Sequence, residues 1–144
     1  MHTPLLCLLG FGAWTLLVAV LGIVTPRVLA VAMGTAPEGG FPADVPHGSD
    51  RYRRTMRAHL NCVENLPLFA AVVLTGAVVH ADSPRMDALA ITYLAARVAQ
   101  TVIHVASGSR AAVNLRFTAF VVQAVCLVWM GVLVARTLGA AAAV

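Results

Sequence analysis

Lysine is absent from the chain, and charged residues of every kind make up only 11% of it. A soluble domain carries about 25% charged residues. Too little polar surface is present to cover a water-soluble globule, which excludes an ordinary cytosolic enzyme and a disordered chain. The three cysteines, Cys7, Cys62 and Cys126, show no CxxC spacing, and each lies in an apolar stretch. They read as small buried hydrophobes, which excludes a disulfide scaffold and a cysteine metal site. The five histidines likewise give no metal-ligand spacing. No charged side chain precedes Arg27, so the basic leader of a secretory signal is missing.

What is present is apolar: 60% of 144 residues. A spanning helix needs roughly 20 such residues. At about 30 residues per span with its connection, one all-α domain of four transmembrane helices over residues 1–144 is expected. The first span covers Leu5 to Val24, and Pro26 with Arg27 marks its end. Ala30-Val31-Ala32 resembles a cleavage site, but the apolar run exceeds the length of a signal core, so the span is expected to be retained. Gly34 to Asp50 is rich in glycine and proline and reads as an irregular loop. The second span runs from about Met56 to Val79, with Pro67 expected to kink it. His80 to Pro84 is a turn in which Ser83 caps the third helix and Pro84 occupies its first position. The third span covers Pro84 to Ala106. Ser107-Gly108-Ser109 closes it, and the fourth begins near Ala112 and continues past Arg136. The alanine-rich tail, Ala140 to Ala143, reads as frayed.

All ten basic residues are arginine, against six carboxylates, for a net charge of +4. Such usage fits a GC-rich coding sequence. It also fits a protein that holds carboxylates or a thiolate with permanently charged guanidinium forks. Four arginines flank the first connection, and Arg110 and Arg116 flank the third. The positive-inside rule then places those connections in the cytoplasm and both termini outside, with Arg136 as the dissenting charge.

Polar residues inside spans mark function by default, because lipid tolerates them poorly. On the second helix Arg53, Arg57, Asn61 and Glu64 fall on one arc of about 80°, while His59 projects from nearly the opposite side. On the third, Tyr93, Arg97, Gln100, Thr101 and His104 occupy an arc of about 100°. Two such stripes on adjacent helices imply a shared polar cleft. Arg116 opens the fourth helix, with Gln123 almost on the same face. Mutual pairing of Arg57, Glu64 and Arg97 is one account of these charges. Five arginines exceed one intramembrane carboxylate, however, so the missing counter-charge is expected to be an external anion.

Arg57-Ala-His-Leu-Asn-Cys-Val-Glu-Asn-Leu-Pro-Leu-Phe69 closely resembles the signature of the membrane-associated proteins in eicosanoid and glutathione metabolism, the MAPEG family. The four-span layout, the arginine-rich first connection and the Ala96 to Thr101 stretch are similar to that family too. The resemblance implies a homotrimer in the bilayer, with glutathione as co-substrate bound between subunits near the cytoplasmic face, and neither metal nor nucleic acid. It carries glutathione contacts to Arg57, His59, Asn61, Glu64 and Arg97, and to Arg27 and His104 as weaker matches. His104 and Gln100 stand where many members have aromatic residues. The family's thiolate-activating arginine corresponds to Arg116 or Arg110, and Arg116 is preferred because Leu115 to Thr118 reads as the first turn of a span. The implied activity is a glutathione transferase or peroxidase acting on an apolar electrophile or lipid hydroperoxide. A non-catalytic binding or regulatory protein of the same fold is the alternative, and a four-helix haem or quinone subunit a third. The expected location is a bacterial inner membrane, with the site facing the cytoplasm.

Overall fold

A computed structural model describes residues 2–42 and 47–141. It contains four long helices: α1 (His2–Ala32), α2 (Asp50–Val78), α3 (Pro84–Ala106) and α4 (Arg110–Ala141). All four are long and apolar enough to cross a membrane; the shortest, with 23 residues, extends about 35 Å at the usual helical rise against a hydrocarbon core of about 30 Å. Among the described residues there is no strand. The architecture is that of a multi-pass helical membrane protein.

Helix α3 is central. It packs against α1, α2 and α4, whereas the backbones of α1 and α4 do not approach each other closely among the described residues. The sequence explains the core: Cys7 and Phe11, Phe69 and Val73, Met86, Ala90 and Tyr93, and Cys126, Met130 and Val134 recur every three or four positions on their helices and are buried. Phe69 stacks on Tyr93 with ring centroids 4.2 Å apart and planes 2° from parallel. Phe11 tilts against both rings, at 6.2 and 6.0 Å. Most other large apolar side chains, such as Leu9, Val78, Val128 and Trp129, remain exposed, which suits a chain whose solvent is hydrocarbon.

The helix boundaries depart from the sequence reading at both ends of the first connection. Pro26 does not end α1. A π-turn at Val20–Val24 precedes it, in which the backbone N–H of Thr25 reaches the Val20 carbonyl, and helix resumes from Thr25 to Ala32. Proline cannot donate to the preceding turn and presses on its carbonyl; the wider π-turn takes up that misfit, so the chain passes through. Helix α2 starts at Asp50, six residues before the expected span, because the Ser49 hydroxyl caps it by accepting from Tyr52 N at 3.2 Å. Arg51, Arg53, Arg54 and Arg57 are therefore helical. The same helix continues through Pro67. Ser83 caps α3 as expected, accepting from Met86 N at 3.1 Å. Part of the glycine- and proline-rich loop (43–46) and the last residues of the alanine tail (142–144) lie outside the described residues.

The π-turn brings Gly22 against α2. A methyl group built there would land on the Thr55 methyl. Gly22→Ala is expected to destabilise the fold by about 1–3 kcal/mol, the usual effect of overpacking. Gly22→Ala with Thr55→Ser should recover most of that loss, since serine keeps the hydroxyl bond to the Arg51 carbonyl at 2.9 Å and removes the clashing methyl. Thermal unfolding of the wild type and the two variants in detergent measures this; equal losses in the single and double variants would refute it.

Candidate functional site

The α3 stripe lies inside the bundle. Tyr93, Arg97, Gln100 and Thr101 are all buried, and Arg97 has no exposed surface. Its Nη1 donates to Asn61 Oδ1 and, at 2.9 Å, to Gln100 Oε1. Its guanidinium lies 5.4 Å from the Phe11 ring centroid, and Phe11 supplies a π-face from α1. Arg97 Nε and Nη2 have no hydrogen-bond partner. The Tyr93 hydroxyl lies beside the guanidinium without a well-formed bond to it. From Gln100 the network continues: Nε2 donates to the Arg116 carbonyl at 3.0 Å, and Gln123 Nε2 donates to Gln100 Oε1 at 3.2 Å and to the Ala119 carbonyl at 2.9 Å. One buried cation thus ties α2, α3 and the first turns of α4 together. The Thr101 hydroxyl donates to the Arg97 carbonyl at 3.0 Å and touches Cys62 Sγ at 3.4 Å.

No carboxylate takes part. Among the described residues the ion pair present is Arg53–Asp50, at the exposed start of α2. Arg57, Glu64 and Arg97 do not pair with one another, so that account of the intramembrane charges is set aside. Arg97 is held by neutral dipoles and an aromatic face.

The α2 stripe faces the other way. Arg57 and Glu64 are exposed, and only Asn61, half-buried at the edge of the stripe, reaches inward to Arg97. The buried side of α2 carries Thr55, Ala58, Cys62, Phe69 and Val73 instead. The shared cleft expected from the two stripes is therefore not formed within one protomer. Glu64 is the middle residue of α2, about 21 Å along the helix from Asp50. A carboxylate exposed at that depth is unfavourable against lipid by several kcal/mol.

At the arginine-rich end the charges converge. Arg54 Nε donates to the Val105 carbonyl at 3.2 Å, closing the last turn of α3. His104, half-buried one residue earlier, lies within reach of the charges of Arg116, Arg57 and Arg54. Arg116 is half-buried and Arg110 exposed, so the two candidates for the same role differ in how far solvent screens them. Arg27 is engaged elsewhere: Nε donates to the Tyr52 hydroxyl at 2.6 Å, and the guanidinium sits 5.3 Å from the Phe41 ring centroid. His59 is half-buried, with Nδ1 unpartnered. A groove of about 790 Å³ runs between α1, the start of α2 and the end of α3, bordered by Trp14, Arg51, Tyr52 and Val105. Neither Arg57 nor Glu64 lines it.

Three contributors escaped the sequence reading. Arg54 stood outside the helical stripe, and its bond to α3 depends on where α3 ends. Tyr52 and Phe11 meet Arg27 and Arg97 from other helices, and no spacing within one helix signals such a meeting.

Four bilayer-length helices around a buried arginine, with further arginines gathered at one end, define a polytopic helical membrane protein with a cationic polar site. The sequence pattern of the MAPEG family matches residues 5–136, and the chain belongs to that family. Comparison with curated proteins gives no match.

Proposed function

We propose that this protein is a glutathione-dependent membrane transferase or peroxidase, working as a homotrimer. The observation that carries the reading is that the charges of Arg54, Arg57 and Arg116 all act on His104, and no carboxylate pairs with any of the three among the described residues. Cations gathered at the end of the bundle without a carboxylate partner favour an anion from outside the chain. Glutathione matches the set: two carboxylates for guanidinium forks, an ammonium for Glu64, and a thiol that must ionise to react. The exposure of Arg57 and Glu64 on the outward face of α2 supports a site completed by a neighbouring copy, with Asn61 and His59 on either flank. Buried Arg97 then serves the ligand through Asn61 and not by contact.

In this reading Arg116 stabilises the thiolate. Each unit of thiol pKa depression requires about 1.4 kcal/mol of preference for the ionised form. A half-buried guanidinium delivers more of that than the exposed Arg110, whose field is screened by water and salt. The thiolate sulfur forms a bond to an electrophilic carbon, whose leaving group departs with the bonding pair, or attacks a peroxide oxygen and expels the alkoxide. The second substrate, an apolar electrophile or lipid hydroperoxide, enters from the bilayer, and the site faces the cytoplasmic side of a bacterial inner membrane.

Calorimetry with glutathione in detergent tests the binding step, and absence of heat at millimolar concentration would overturn it. Glu64→Gln is expected to weaken binding about tenfold or more by removing the negative charge that holds the ammonium; unchanged affinity would remove Glu64 from the site. A second reading, a non-catalytic binding protein, is favoured by one observation. Gln100 stands where family members present an aromatic residue to the ligand, and here it is committed to Arg97, Gln123 and the Arg116 carbonyl. Turnover of a chlorodinitrobenzene separates the two readings.

A further inference from the structure

The end of the bundle opposite the arginine cluster carries two cations with no part in that site. Arg85 lies in the first turn of α3 and Arg136 near the end of α4. Both are exposed, and neither makes an ion pair among the described residues. They border one groove of about 510 Å³ whose remaining wall is apolar and comes from α4, including Ala124, Val128, Trp129 and Val132. From Arg136 to Ala124 the groove follows α4 for about 18 Å, a little over half of a hydrocarbon core about 30 Å thick.

We propose that this groove binds an anionic phospholipid from the leaflet at that end, with the phosphate between Arg85 and Arg136 and one acyl chain along Val128 and Trp129. Length, polarity and charge agree. The trough matches the depth of one leaflet, its walls match an acyl chain, and the paired guanidiniums supply the forked donors that suit a phosphate. A small soluble anion would use the arginines and leave the trough empty. Asp82 and Asp87 stand close to Arg85 in the chain, but neither forms an ion pair with it among the described residues, so both guanidiniums keep donors for a phosphate.

Native mass spectrometry of the assembled protein, released from detergent micelles doped with phosphatidylglycerol or with phosphatidylcholine, tests the proposal. The wild-type protein should retain phosphatidylglycerol in clear preference to phosphatidylcholine. Arg85→Gln with Arg136→Gln should reduce that retention roughly tenfold or more. Val128→Trp, which fills the trough without touching the arginines, should reduce it as well. Glutathione affinity should be unchanged in both variants, since the groove lies at the far end of the bundle. Equal retention of the two lipids, or retention indifferent to both variants, overturns the proposal. So does a change of oligomeric state in either variant, which would show that a second copy of the chain covers the groove.

Discussion

Arg116→Ala should bind glutathione within a few-fold of the wild-type affinity and lose the ultraviolet absorbance of the bound thiolate. The carboxylates and the ammonium keep their partners in this variant, so most of the binding free energy remains. What disappears is the positive charge at the thiol. A free thiol of this kind has a pKa of about 8.5. A depression of about two units would make it largely ionised at neutral pH and correspond to about 2.7 kcal/mol. Turnover at pH 7 should therefore fall about 25-fold, as the ionised fraction drops from about three-quarters to about 3%, and raising the pH toward 9 should recover much of the loss. The sign follows from ionisation: without the guanidinium the thiol must be deprotonated by the medium. Stopped-flow absorbance on mixing with glutathione, together with a pH–rate profile, measures both. An unchanged thiolate signal in Arg116→Ala, with loss in Arg110→Ala, would transfer the role to Arg110.

Asn61→Leu is expected to be more damaging to the fold than the double variant Asn61→Leu with Arg97→Met. The single change leaves a wholly buried guanidinium without its side-chain acceptor on α2, with only the long 3.5 Å bond to the Asn61 carbonyl remaining there, and a buried charge deprived of its partner destabilises by about 3 kcal/mol. In a chain of this size that lowers the melting temperature by roughly 10 °C. Replacing the cation as well removes the charge that needed solvation, and methionine fills similar space against Phe11 and Tyr93. The double variant should therefore melt within a few degrees of wild type. Arg97→Met alone should fall between the two, because Gln100 keeps Gln123 as a donor. Thermal unfolding in one detergent gives the ordering. If Asn61→Leu melted no lower than the double variant, the network would not be what holds α2 to α3.

How far the sequence could be read depends on the kind of signal. Ser83 and Pro84 announced the start of α3 because a cap and a fixed backbone angle are local chemistry. Ser49 is an equally local cap, but it stands among glycine and proline in an arginine-rich stretch, where polarity pointed to a loop. Pro26 misled for a related reason. Proline forbids one hydrogen bond, and whether the chain stops or widens into a π-turn depends on the packing beyond it, here Gly22 against Thr55. His104, Arg57 and Arg116 were all marked as polar residues at the ends of spans, yet their convergence on one spot follows from how the helix ends are stacked.

The two stripes show the division most clearly. Helical periodicity aligns Arg57, Asn61 and Glu64 with one another, and Tyr93, Arg97, Gln100 and Thr101 with one another, because 3.6 residues make a turn whatever surrounds the helix. The number of spans and the family follow from residues alone, through apolar run lengths and one contiguous signature. Periodicity does not say how each helix is rotated about its own axis. In water the apolar side of a helix turns inward. In a bilayer both the bundle interior and the surroundings are apolar, so hydropathy gives no direction. Packing among Phe11, Phe69 and Tyr93 and the reach of Asn61 to Arg97 settle that rotation, turning the α3 stripe inward and leaving Arg57 and Glu64 on the outside of α2.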